Sequence, residues 1–213
     1  MNKILCFGDS NTWGYDPVTK GRFSHTVRWT GLLKDRLANL NIEVLEEGLC
    51  GRTTIYEDEF RPGRKGIDSL NQLFPLHTKN THNSIDSAVL MLGTNDCKTY
   101  NHASEKEIGK GIEDCLLILK RQIPVKNILL LSPIHLGDEV YQDTFDPEFN
   151  QTSIETSKQL KEEYAKIARK HHVSFMAASD FAKPSPADQE HLDLDGHRIL
   201  ADKIYEWILG LTS

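Results

Sequence analysis

The stretch Lys3-Ile4-Leu5-Cys6-Phe7-Gly8-Asp9-Ser10-Asn11-Thr12 decides how the rest of the chain is read. Ile4 to Phe7 are apolar without interruption, and the run ends at once on Gly8. A short continuous apolar run bounded by a turn signal reads as a strand buried on both faces. Gly-Asp-Ser-Asn is turn and helix-capping chemistry. The stretch therefore predicts a central strand that delivers a carboxylate, a hydroxyl and an amide to a loop at its carboxyl end. It is too short for the 7–15-residue apolar core of a secretory signal, so the expected location is cytoplasmic.

The same pattern recurs along the chain. Strands are expected over 3–7, 42–46, 86–92, 127–132 and 173–177. Amphipathic stripes lie between them: Trp29, Leu32, Leu33, Leu37 and Leu40; Ile108, Ile112, Cys115, Leu116 and Leu119; Leu160, Tyr164, Ile167, Ala168 and His171; Leu200, Ile204, Trp207, Ile208 and Leu211. Spacing of three and four residues makes each a helix with one packed face. The third carries Glu162 and Lys166 at i,i+4, a pairing distance on a helix. A shorter helix is expected over 66–74, stopped by Pro75. Strand and helix alternate, which predicts an α/β fold: a three-layer α/β/α sandwich around a central parallel five-stranded sheet. At 213 residues and about 150 per domain, the chain is expected to be a single domain over 1–213. Two loops are long, 11–26 and 133–152. The second mixes acidic residues with Tyr141, Phe145 and Phe149, and long loops in a compact domain are usually functional.

Composition narrows the function classes. A net charge of -6 argues against nucleic acid, which needs a clustered positive face. No apolar run reaches the roughly 18 residues that span a bilayer, so no membrane partner is expected. Cys6, Cys50, Cys97 and Cys115 form no C-x-x-C pair, which argues against zinc knuckles and thioredoxin-type chemistry. Reduced thiols are expected.

In an open parallel sheet the ligand binds outside the carboxyl ends of the strands. The residues behind each strand are Gly8-Asp9-Ser10-Asn11-Thr12, then Gly48-Leu49-Cys50-Gly51-Arg52-Thr53, then Gly93-Thr94-Asn95-Asp96, then Ser132-Pro133, and finally Asp188-Gln189-Glu190-His191. Together they supply a hydroxyl, glycine amides, a side-chain amide, a carboxylate and an imidazole. Acyl transfer needs that inventory. A serine requires a base, the base requires a group that fixes its tautomer, and the oxyanion requires aimed donors. Asp188 is the one aspartate with a histidine three residues later.

Rival readings exist. Ser132 with His135 is a second serine behind a strand. The run from His191 to His197 contains carboxylates and imidazoles that could be read as a metal cluster, although Asp193 or Asp195 also suits a cap on the last helix. His25, His77, His82, His102, His171 and His172 sit in polar contexts and are expected to be solvated. Trp13 is a candidate wall of the acyl pocket, and Arg52 a candidate substrate contact or a loop tie through salt bridges. Asp9 is a candidate substrate contact or a support for the serine loop. Trp29 and the 133–152 aromatics read equally as core or as interface.

In their order along the chain, Gly8-Asp9-Ser10-Asn11, the turn ending at Gly51, Gly93-Thr94-Asn95-Asp96 and Asp188 to His191 resemble the four blocks of the SGNH hydrolases, also called GDSL esterases and lipases. The resemblance covers nearly the whole chain. The stretches Phe7 to Gly14, Val27 to Gly31, Glu46 to Thr54 and Met91 to Asp96 are similar to the arylesterase and acyltransferase branch. The resemblance implies Ser10 as nucleophile, His191 as base and Asp188 as its orienting group. It implies an oxyanion hole from the N–H groups of Ser10 and Gly51 and the amide of Asn95. It implies no metal and no organic cofactor. Where the family often has Asn, two residues before the first glycine of its second block, this chain has Glu46. Members of that branch often assemble, so a homo-oligomer is an expectation of the same kind. The expected reaction is hydrolysis of small acyl esters, with transfer to alcohols. The alternatives are a carbohydrate O-acetyl esterase using the same site, and a flavodoxin-like module holding a phosphate at Ser10-Asn11-Thr12.

Overall fold

A computed structural model describes residues 3–74 and 84–212. Pro75, His77 and His82 lie outside the described residues. Five parallel strands, β1 (Lys3–Gly8), β2 (Glu43–Gly48), β3 (Ser87–Met91), β4 (Ile128–Ser132) and β5 (Ser174–Ala177), form one sheet in the order β2-β1-β3-β4-β5. The helices are α1 (Ser10–Trp13), α2 (Trp29–Ala38), α3 (Gly66–Leu73), α4 (Glu105–Lys120), α5 (Gln151–His171) and α6 (Leu194–Thr212). This is the expected three-layer α/β/α arrangement.

Alternation along the buried strands builds both cores. Leu5 and Phe7 of β1, Ala88 and Leu90 of β3, and Ile128 and Leu130 of β4 face α3, α4 and α5. Their neighbours Ile4, Cys6, Val89, Met91, Leu129 and Leu131 face α2 and α6. Side chains of a strand alternate between faces, so a continuous apolar run is what a doubly covered sheet requires.

The strand order positions the site. β2 lies on one side of β1, while β3 and the later strands lie on the other. The winding reverses between β1 and β3, and a crevice opens outside their carboxyl ends. The loop after β1 carries Ser10 and the loop after β3 carries Asn95.

Several local expectations change. Leu40 is 44% exposed because α2 ends at Ala38, and the chain turns through Asn41 at φ +53°. Lys166 pairs with Glu163 at 3.2 Å in place of Glu162. His171 is not solvated: its ring is held between Lys120 and Glu113. Trp29 is fully buried and its indole donates to the carbonyl of Asn11 at 2.9 Å, which makes it core. Phe149 is also core, whereas Tyr141 is exposed. All four cysteines are free thiols.

Candidate active site

Ser10 begins α1, one short turn of helix. Asp9 caps it by accepting the Asn11 N–H at 3.0 Å, and Gly14 ends it in the left-handed conformation. The turn is tight. A Cβ on Gly8 would stand 2.0 Å from Thr12 Oγ1 and 2.6 Å from the Met91 carbonyl oxygen, so only glycine fits beneath the helix.

Asp188 does two jobs in one turn. Its Oδ1 accepts the N–H groups of Glu190 (3.1 Å) and His191 (3.0 Å), and its Oδ2 lies 2.6 Å from His191 Nδ1. A spacing of three residues lets one carboxylate close the turn and hold the ring it presents. His191 Nε2 then lies 2.8 Å from Ser10 Oγ, across 181 positions of sequence. Asn11 locks the two segments: its Oδ1 accepts the Leu192 N–H at 2.9 Å. The Tyr15 ring packs on the imidazole with centroids 4.4 Å apart.

The second and third loops meet beside Ser10. Gly51 has φ +80°, where a side chain is strained. Asn95 Nδ2 donates to the Arg52 carbonyl at 3.1 Å, and both Asp96 oxygens accept the Thr54 N–H at 3.0 and 3.1 Å. Among the described residues no hydrogen bond engages the N–H of Ser10 or of Gly51. Arg52 is buried and donates to the carbonyls of Gly8 and Glu47 while its guanidinium lies 4.2 Å over Phe7. It ties the first two loops through carbonyls, not through the expected salt bridges.

A cavity of about 190 Å³ opens over these groups, lined by Ser10, Gly51, Asn95 and His191 and by Tyr15, Cys50, Arg61, Lys98, Asp146 and Glu190. Trp13 is not among them; it packs beneath the Arg22 guanidinium at 5.2 Å. Asp9 is 1% exposed and also stays outside the lining. Loop 133–152 contributes charge here instead of aromatic faces, through Asp146. A larger cavity of about 500 Å³ between the starts of α4 and α5 holds none of Ser10, Asp188 and His191.

Charge around the site is uneven. Burial pushes the His191 pKa down, but the charges of Glu190 and Asp188 outweigh it and hold it above the usual imidazole value. Burial pushes the Asp188 carboxyl up, and its hydrogen bond with His191 outweighs that and holds it below the ordinary aspartate value. His197 is fully buried, accepts the Trp29 N–H at 3.3 Å, and burial pulls its pKa to about 3. The two histidines of the suspected metal run thus face different partners. Asp193 accepts the Gly196 N–H at 2.8 Å in the first turn of α6. Ser132 is fully buried and its Oγ makes no hydrogen bond among the described residues, with His135 or otherwise. Glu46 explains itself. Burial raises its carboxyl, yet bonds from Arg28 (2.7 and 2.9 Å) and Thr30 (2.6 Å) outweigh that and hold it at about 2.

Burial pushes the Asp9 carboxyl from 3.8 to about 7. Between those values the folded chain holds a proton that the unfolded chain has released, so stability falls as pH rises through that window. Asp9→Asn keeps the capping oxygen and removes the charge. It is expected to be more stable than the parent at pH 8 by up to about 4 kcal/mol, with the gain gone at pH 4. Denaturant unfolding at both pH values measures this; an equal gain at both would show that the charge is not the cause.

Sequence reasoning gave no role at this site to Tyr15, Lys98, Arg61 and Glu190, and named Asn11 and Asp146 only as members of their loops. Glu190 had a signal, its adjacency to His191. Tyr15, Lys98 and Arg61 had none.

The sequence model of the GDSL-like lipase/acylhydrolase family matches residues 4–204. Est24, a carbohydrate acetylesterase from Sinorhizobium meliloti, is similar at 29% identity over 99% of this chain and 100% of its own, with a TM-score of 0.86. The aryl esterase of M. smegmatis is 29% identical over 99% and 100% of the two chains, with a TM-score of 0.85. A putative arylesterase from Agrobacterium tumefaciens is 29% identical over 97% and 99%, with a TM-score of 0.79. No curated protein sequence matches the chain at a significant level. No helix among the described residues is long and apolar enough to cross a membrane. The family match agrees with the order of the four loop blocks and with the sheet that presents them: the chain belongs to the GDSL-like lipase/acylhydrolase family, the SGNH hydrolases, and is a carboxylic ester hydrolase.

Proposed function

We propose that the enzyme hydrolyses small acyl esters through an acyl-enzyme on Ser10. The observation that carries this is the row Ser10 Oγ, His191, Asp188, closed by contacts of 2.8 and 2.6 Å. As Oγ attacks the carbonyl carbon, His191 Nε2 takes its proton, and Asp188 keeps Nδ1–H fixed and stabilises the imidazolium. The oxyanion is received by the unengaged N–H groups of Ser10 and Gly51 and by the Asn95 amide. Collapse returns the proton to the departing alcohol. Water then attacks the acyl-enzyme, losing its proton to Nε2, and the acid leaves with Ser10 restored. An alcohol in place of that water gives acyl transfer. The proposed reaction draws on side chains and backbone amides of the chain itself. Four unpaired thiols support a reducing, cytoplasmic setting.

The cavity supports a short acyl group. At about 190 Å³ the groove over Ser10 is small, and it is shared between acyl and alcohol. Activity along a 4-nitrophenyl series from acetate to octanoate is expected to peak at two to four carbons and to fall at least ~10-fold by eight. A rate that climbs to octanoate would overturn the short-chain reading.

Acceptor groups on the cavity wall, Glu190 and Asp146, favour a second reading in which the alcohol is a sugar; Est24 is described as a carbohydrate acetylesterase. Acetate release from an acetylated saccharide at a kcat/KM above that for an aryl acetate decides for it.

A further inference from the structure

The groove holding His191 contains a carboxylate that the triad does not use. Glu190 is 7% exposed, and its Oε2 lies 3.8 Å from His191 Nδ1, on the same nitrogen that Asp188 holds. Its backbone N–H donates to Asp188, but its carboxylate makes no hydrogen bond among the described residues. A buried carboxylate with no hydrogen bond is destabilising unless its charge is used or compensated. The compensating charges are His191 itself and Lys98, which is 4% exposed and also bridges Asp146 at 3.4 Å and Glu148.

We propose that Glu190 is a second positioning carboxylate for His191, placing its charge beside that of Asp188 on the imidazolium and holding the ring when Asp188 is absent. The inference rests on the reading of His191 as the base. When Nε2 takes the Ser10 proton, the ring becomes a cation whose Nδ1 edge faces two carboxylates at 2.6 and 3.8 Å. The nearer one accepts the hydrogen bond and fixes the tautomer. The farther one, beyond hydrogen-bond distance, acts through charge. Burial raises the Glu190 carboxyl above its ordinary value, an effect that the charges of His191 and Lys98 oppose.

Other ionisable groups also act on the ring. Asp9 approaches from the loop after β1, where Tyr15 stacks on the imidazole. His197, neutral at working pH, approaches from α6. Across the cavity stand Cys50, Arg61 and Asp146. The ion-pair contacts of Nδ1 itself, among the described residues, are with Asp188 and Glu190.

The test is a double-mutant cycle of Glu190→Gln and Asp188→Asn, read as full pH profiles of kcat and KM on 4-nitrophenyl acetate. In Glu190→Gln the acidic limb of kcat/KM is expected to move down by about one pH unit, with kcat reduced about 3- to 10-fold and KM within about 2-fold. The cost of Glu190→Gln is expected to be at least about 10-fold larger in the Asp188→Asn background than in the parent, because the reserve is then the sole carboxylate on Nδ1. Thermal unfolding is expected to show the single variant at least as stable as the parent, since a buried charge has gone; Glu190→Ala serves if Glu190→Gln does not fold. An unmoved acidic limb overturns the proposal. So does a change confined to KM, which would make Glu190 a substrate contact, or an equal cost in both backgrounds. A parent enzyme without ester hydrolysis would instead sink the reading of the site itself.

Discussion

Ser10→Ala is expected to lower kcat/KM on a short activated ester by about 10⁴- to 10⁶-fold, the range for loss of a serine nucleophile whose base and oxyanion donors remain. The residue is 4% exposed and, among the described residues, its hydroxyl bonds to His191 alone, so removing one oxygen leaves the cap of α1 and the β1 turn intact. Thermal unfolding should therefore stay within about 1 kcal/mol of the parent. A serine-directed phosphonate should label Ser10 in the parent and nothing in the variant. More than a tenth of the activity remaining, or labelling elsewhere, would move the nucleophile; Ser132 is the other serine behind a strand, and its full burial makes it the poorer candidate.

Asn95→Ala is expected to lower kcat by about 10²- to 10³-fold, the usual loss for one oxyanion donor, with KM changed less than about 3-fold. The structure gives the reason in hydrogens. The Asn95 amide spends one N–H on the Arg52 carbonyl at 3.1 Å, which fixes its plane and leaves the other for the proposed oxyanion. A donor held in that way contributes most where charge develops, in the transition state, and little to the ground state. Loss of the Arg52 contact should lower stability by only about 1 kcal/mol. An effect on KM alone, or a fall in activity that tracks unfolding, would remove Asn95 from the oxyanion site.

Much of this was legible in the residues. Ile4 to Phe7 and Ser87 to Leu92 read as doubly buried strands because continuous apolar runs leave a strand no polar face. The loop blocks read as a rim because parallel strands present their carboxyl ends on one side. Where the reading failed, the cause was competition that sequence does not show. Trp13 is placed three residues past Ser10, as a pocket wall would be, but Arg22 takes its face. Arg52 is an arginine beside a glycine turn, and no periodicity reveals that two carbonyls converge on it. His171 looked solvated because Glu113 and Lys120, which hold it, belong to another helix.

The strands buried on both faces, the helix faces and the Asp188-to-His191 turn follow from local rules: period, capping and spacing. They involve neighbours in sequence, and so the sequence carries them. The 2.8 Å contact between Ser10 and His191 and the extent of the 190 Å³ cavity do not. Each depends on how closely segments more than 100 residues apart approach after both faces of the sheet are packed, and that distance is set by the summed volumes of the core, which no single motif contains.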